Sequence, residues 1–68
     1  MKIIIWSKFD CSFCERAKHE FKKRDLTYEE RIIGGGWTKE QLLEVAPNAR
    51  SVPQIFIDET YVGGYTEL

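Results

Sequence analysis

The sequence predicts an α/β fold in which a four-stranded mixed sheet is flanked by helices. Three observations predict it. A β-branched apolar run, Ile3-Ile4-Ile5-Trp6, opens the chain, and Cys14, Ala17 and Phe21 then recur at helical spacing. A second helix start follows at Thr38, after a run of three glycines. Two short β-rich runs meet at Asp58-Glu59 near the end. The order is β-α-β-α-β-β.

Each element has its own local reason. Residues 2–7 read as a buried strand, because Ile3 to Trp6 is a short apolar, largely β-branched run. Lys8-Phe9-Asp10 reads as a loop. The helix predicted over residues 12–24 ends in Lys22, Lys23 and Arg24, cations that complement the negative end of its dipole. Residues 27–33 read as a second strand, and Gly34-Gly35-Gly36 as a flexible connector. Thr38 and Gln41 form a capping box, with Trp37 and Leu42 spaced as a hydrophobic staple. Pro47-Asn48 stops this second helix. Strands over residues 54–57 and 60–62 flank a tight turn at Asp58-Glu59, and Thr66-Glu67-Leu68 reads as the opening of a further helix.

Composition narrows the functional classes. The 68 residues make one domain, residues 1–68, with one small core. Apolar content of 43% argues against disorder. Ten basic and eleven acidic side chains are well mixed, so no basic field exists to hold nucleic acid. The opening apolar run is far too short for a signal peptide's core or a membrane span. The expected location is therefore the cytosol, with no membrane partner.

A reducing compartment gives the two cysteines their meaning, because thiols there rarely form a lasting structural bridge. Cys11 and Cys14 stand at Cys-x-x-Cys spacing where the first strand feeds the first helix. A thiol at a helix N-terminus meets unpaired N–H groups and a positive dipole end, which favour the nucleophilic thiolate. Cys11 is the exposed attacking thiol in this reading, and Cys14, one turn in and partly buried, resolves. Lys8 lowers the Cys11 pKa and Asp10 raises it, with the dipole and Lys8 expected to prevail. Against this stand a structural disulfide, a pair of merely buried cysteines, and a zinc site. Zinc needs about four ligands, and His19 is the only other soft ligand.

Two further segments carry a family resemblance. Ser51-Val52-Pro53-Gln54-Ile55-Phe56-Ile57 is similar to the Thr-Val-Pro-x-Ile-Phe segment of glutaredoxins, and Gly63-Gly64-Tyr65-Thr66-Glu67 to their Gly-Gly motif. With Lys8-x-x-Cys11-x-x-Cys14, three motifs appear in the family's order over almost the whole chain. The chain resembles small bacterial or phage dithiol glutaredoxins.

The resemblance implies a thioredoxin-like fold with a truncated C-terminal helix, and glutathione as co-substrate. It implies a cis proline at Pro53 facing the cysteines, with Val52, which follows Ser51, pairing its backbone with glutathione's cysteinyl unit. Lys8 would meet the glycine carboxylate. Gly64, Tyr65 and Thr66 would hold the γ-glutamyl carboxylate, Glu67 its amine, and Phe13, in the place of the family's tyrosine, would flank the ligand. The implied partners are disulfide-bonded or glutathionylated proteins, with ribonucleotide reductase among them.

Two departures stand out. Ser12 replaces the usual proline, so that Ser12 and Glu15 can form an alternative capping box one residue along. Some glutaredoxins with serine here hold a [2Fe–2S] cluster between two subunits with glutathione, which is one rival reading. A glutaredoxin-like protein fed by thioredoxin reductase is another. The second departure is the short C-terminus, expected to leave a sheet face thinly covered around Ile4, Ile55 and Ile57.

Overall fold

The computed structural model describes residues 1–67, and the side chains of residues 1–66. The elements run β1 (Ile3–Lys8), α1 (Ser12–Lys23), β2 (Glu29–Ile33), α2 (Lys39–Val45), β3 (Gln54–Ile57) and β4 (Thr60–Gly63), followed by a short 3₁₀ turn (Tyr65–Glu67). The strands form one sheet in the order β2-β1-β3-β4. β1 pairs parallel with β2, and α1 is the crossover that a parallel pair needs. β1–β3 and β3–β4 are antiparallel. The mixed sheet flanked by helices is as the sequence predicts.

The alternation of β1 divides the interior. Ile3 and Ile5 turn to one face, where they pack with Ala17 and Phe21 of α1 and with Ile55. Trp6 turns to the other, against Leu42 and Ala46, with Ile4, Phe56 and Trp37 around them. Ile5 and Ile55 are opposite each other in the β1–β3 register and fully buried. Burial of each contributes roughly 1.5–3 kcal/mol. The thin cover expected at Ile4, Ile55 and Ile57 does not form on one face. Ile4 lies on the opposite face from the other two, because successive strand residues point oppositely and Ile3 and Ile5 share the face of Ile55 and Ile57, and Ile55 is sealed by α1. Ile57 does line an opening of about 590 Å³ with Phe21, Leu26 and Val62.

Three local details differ from the sequence reading. α1 stops through its backbone rather than its terminal cations. Asp25 takes a left-handed φ of 57°, its N–H donates to the Lys22 carbonyl (3.0 Å), and the Leu26 N–H donates to the Phe21 carbonyl (2.9 Å). That is a Schellman motif with aspartate in the usual glycine position. The glycine run is a hydrogen-bonded turn, not a loose connector: Gly34 N–H donates to the Trp37 carbonyl (2.9 Å), and Gly35 N–H to that of Ile32 (2.9 Å). A Cβ at Gly35 would come within 3.2 Å of Ile32 and Phe9 side-chain atoms. β2 begins at Glu29, later than residue 27, because α1's cap holds the chain back through Leu26.

The second helix starts as predicted. Thr38 Oγ1 accepts from the Gln41 N–H (3.1 Å), and Gln41 Oε1 accepts from the Thr38 N–H (2.8 Å). The predicted opening of a C-terminal helix appears as the 3₁₀ turn, and Leu68 lies outside the described residues.

Candidate active site

Cys11 is the N-cap of α1. Its backbone is extended (φ −113°, ψ 104°), while its carbonyl already accepts from the Glu15 N–H (3.1 Å). Asp10 just before it takes a left-handed φ of 56°, which turns the chain from β1 into the helix. Ser12 is therefore the first helical residue, and the alternative Ser12–Glu15 capping box does not form. The cap is made by sulfur: Cys11 Sγ accepts from the Cys14 N–H at 3.2 Å.

The two sulfurs are bonded to each other, with Cα atoms 5.3 Å apart, inside the range a disulfide tolerates. Their exposures differ. Cys14 is buried (1% exposed) on the face that carries Ala17 and Phe21, and Cys11 is partly exposed. An incoming group therefore reaches Cys11 first. Opposite it, the Val52 carbonyl oxygen lies 3.8 Å from Cys11 Sγ, and the Val52–Pro53 peptide bond is cis.

Most of the residues singled out in the sequence line one open groove, which shares Val52 with the contact to Cys11. Ser51, Val52 and Pro53 form one wall of an open groove of about 250 Å³, and Gly64, Tyr65 and Thr66 form another. Phe13 also lines it, half exposed, with its ring 5.8 Å from that of Tyr65 and the Arg16 guanidinium 5.4 Å from the Phe13 ring centre. Lys8 is not in this groove. It is exposed and lines a neighbouring pocket that shares Ser51 and Val52. The expectation for Glu67 concerns a side chain outside the described residues.

Two polar arrangements escaped the sequence reading. Gln54, buried at the start of β3, donates from Nε2 to the Ser51 carbonyl (2.7 Å) and accepts the Tyr61 hydroxyl on Oε1. It thus ties the proline loop to β4. Behind α1, Glu30 accepts from the buried Ser7 hydroxyl (2.7 Å) and from Lys18 Nζ (2.8 Å), which also reaches Glu15 (3.1 Å). Burial alone would lower the Lys18 pKa, but its hydrogen bonds to Glu30 and Glu15 hold it above the ordinary value. Burial would likewise raise Glu30, and the Lys18 and Ser7 hydrogen bonds outweigh it, leaving the carboxyl below its usual range. Nothing local in the sequence names Lys18 as the partner of Glu30.

Among the described residues, no group of three or more histidine, cysteine, aspartate and glutamate side chains is placed to hold a metal ion. No helix among them is long and apolar enough to cross a membrane.

Comparisons with known proteins agree with this picture. The glutaredoxin family model matches residues 3–62. Glutaredoxin 1 of Escherichia coli (strain K12) is 36% identical over an alignment 74 positions long, gaps included, that covers 98% of this chain and 87% of that protein. The crystal structure of glutaredoxin 1 from Francisella tularensis is similar at a TM-score of 0.84 and 29% identity, over 97% of this chain and 85% of that one. Buckwheat glutaredoxin, solved in complex with glutathione, has a TM-score of 0.84 at 25% identity, over 96% of this chain and 62% of that one. The fold is thus thioredoxin-like, as in these structures. With the family match running from the first strand into the last, and relatives at this identity over nearly the whole chain, the chain belongs to the glutaredoxins, thiol–disulfide oxidoreductases built around a redox-active cysteine pair.

Proposed function

We propose that this chain reduces protein disulfides and glutathione mixed disulfides, drawing its electrons from glutathione in the cytosol. The observation that carries the reading is the position of Cys11 Sγ. It lies between a helix N-terminal N–H at 3.2 Å and the Val52 carbonyl at 3.8 Å, beside a groove open to solvent. The glutathione complex of the buckwheat relative supports the choice of ligand.

In the reduced protein, the Cys11 thiolate attacks one sulfur of the substrate disulfide. That disulfide breaks, and its other sulfur leaves as a thiolate that takes up a proton. Cys14, giving up its own proton, attacks the Cys11 sulfur, releases the substrate thiol and closes the Cys11–Cys14 bond. One glutathione thiolate then opens this bond at Cys11, and a second displaces the first as glutathione disulfide. Where the substrate is glutathionylated, Cys11 takes the glutathionyl sulfur and a second glutathione regenerates it without Cys14.

The ligand's cysteinyl unit pairs with the Val52 backbone as a short added strand. Its γ-glutamyl end lies toward Gly64, Tyr65 and Thr66, and its glycine end toward Lys8, with Phe13 flanking and Ser51 and Pro53 shaping the wall. Ribonucleotide reductase is one electron acceptor of the right chemistry. The reading is tested by turnover on a dialkyl disulfide. The expected result is reduction fed by glutathione and glutathione reductase. Turnover with thioredoxin reductase alone, and none with glutathione, overturns it.

A further inference from the structure

We infer that Lys18, held by Glu30, is a positioning residue for the resolving step: its ammonium group favours the thiolate of Cys14 as Cys14 attacks the mixed disulfide on Cys11. The inference rests on the reading that Cys14 resolves. Cys14 is 1% exposed, and burial disfavours the thiolate that the attack requires. The N-terminal cap of α1 serves the sulfur of Cys11, not that of Cys14. A nearby positive charge is the remaining means of ionising a buried thiol.

Lys18 follows Cys14 by one helical turn, a spacing that brings Cβ atoms within about 5–6 Å. Its side chain runs back toward the start of α1, because Nζ reaches Glu15, the residue after Cys14, at 3.1 Å. Glu30 of β2 holds the same Nζ at 2.8 Å and is itself fixed by the buried Ser7 hydroxyl at 2.7 Å. The ammonium is thus pinned between helix and sheet beside the turn that carries Cys14. Burial opposes its charge, but the hydrogen bonds to Glu30 and Glu15 hold its pKa above the ordinary 10.5, so it stays charged where a thiol titrates. Side-chain exposure is 16% for Lys18, 24% for Glu30 and 71% for Glu15, so water screens the ammonium least. The other elements packed against α1 bring no competing charge. β1 offers the neutral Ser7 and turns Lys8 to its other face, β3 offers Ile55, and the turn after β4 offers Tyr65, a phenol neutral near pH 7. On α1 itself, Arg16 stands over the Phe13 ring, and Lys22 acts on Glu30.

The test mixes the reduced full chain with limiting dithiobis(nitrobenzoate), a symmetric aromatic disulfide. The Cys11 thiolate attacks it, forming a mixed disulfide and releasing one coloured thionitrobenzoate. Cys14, its proton lost to solvent, then attacks the Cys11 sulfur, closes the Cys11–Cys14 bond and releases the second. This second release is independent of protein concentration, and its pH midpoint reports the Cys14 thiol. Lys18→Gln should move the midpoint up by about 0.5–1 pH unit. Below the midpoint it should slow the release about two- to fourfold, the more basic thiolate recovering part of the loss. Lys18→Arg keeps the charge and should keep the midpoint. Glu30→Gln removes a carboxylate while Glu15 still holds Lys18, and should move the midpoint down. The first release should change by less than about twofold in all three, because Cys11 lies two turns from Lys18. A merely structural role would shift Lys18→Gln and Glu30→Gln in the same direction, since both loosen one contact. Shifts of the same sign, or an unchanged midpoint in Lys18→Gln, overturn the role of Lys18 and leave the Cys14 chemistry standing. Should Lys18→Gln not fold, the Glu30→Gln midpoint decides, and an upward move or none overturns the proposal. A second release that is missing from the unsubstituted chain, or that survives in Cys14→Ser, overturns both readings.

Discussion

The backbone N–H of Cys14 donates to the sulfur of Cys11 across 3.2 Å, so that sulfur supplies the helix cap that serine or aspartate oxygen usually supplies. In the reduced protein this donor, with the N-terminal dipole of α1, favours the charged form of Cys11. Its thiol pKa should fall below the ordinary ~8.5 of a free cysteine. The pH dependence of iodoacetamide alkylation measures it. A midpoint near 8.5 would show that the cap does not activate the sulfur.

Two non-glycine residues carry left-handed backbone in the β3–β4 turn, Asp58 (φ 49°) and Glu59 (φ 68°). Glycine removes the Cβ conflict but loses chain entropy on folding. Glu59→Gly should stabilise by about 0.5–1 kcal/mol, read as a rise in urea midpoint. Asp58→Gly should not, because the Asp58 carboxylate accepts the Lys2 N–H at 2.8 Å and that bond is lost.

The Glu30–Lys18 pair sets limits on stability at both ends of the pH scale. Glu30 titrates below its ordinary 4.5 in the folded protein, so its contribution is complete above that value and lost as pH falls through the folded pKa. Lys18 titrates above 10.5, so its contribution is complete below that and lost as pH rises through its folded pKa. Between about 5 and 10 neither pKa shift makes stability depend on pH. Glu30→Gln should flatten the acid limb in urea unfolding across pH; an unchanged limb would show that the pair does not contribute.

Gln54 joins the proline loop to β4 through both ends of its side chain. Gln54→Leu leaves the Ser51 carbonyl and the Tyr61 hydroxyl without this partner and should destabilise by about 1–3 kcal/mol. Tyr61→Phe removes one bond only and should cost about 1 kcal/mol. If Gln54 holds Ser51–Val52 in register for the ligand, Gln54→Leu should also raise the KM for glutathione more than it lowers kcat, whereas a purely structural role would leave KM alone.

Much of this fold is legible in the sequence because its signals are local. The apolar run of β1 is buried on both faces, and the Thr38–Gln41 box forms as written. Cys11 and Cys14 fall at the helix start for the same reason. What is not legible depends on partners distant in sequence. Lys18 looks like any surface cation until β2 brings Glu30 beneath it. The buried Gln54 gives no sign that Tyr61 will reach it across a hairpin. The stop of α1 at Asp25 is hidden because aspartate, unlike glycine, does not announce a left-handed position. Lys8 of β1, Lys39 of α2 and Arg50 of the loop before β3 line one pocket with Val52, and only the fold brings these cations together.

The most direct test of the central claim compares Cys11→Ser and Cys14→Ser in two reactions fed by glutathione. Cys11→Ser should lose both reduction of a protein disulfide and removal of glutathione from a glutathionylated peptide, since a serine hydroxyl is not an anion at neutral pH. Cys14→Ser should keep the second reaction, because glutathione itself can attack the Cys11 mixed disulfide, and lose most of the first, where an internal thiol must release the captured protein. Equal loss of both reactions in the two variants, or deglutathionylation that survives in Cys11→Ser, would contradict the assignment of Cys11 as nucleophile and Cys14 as the resolving thiol.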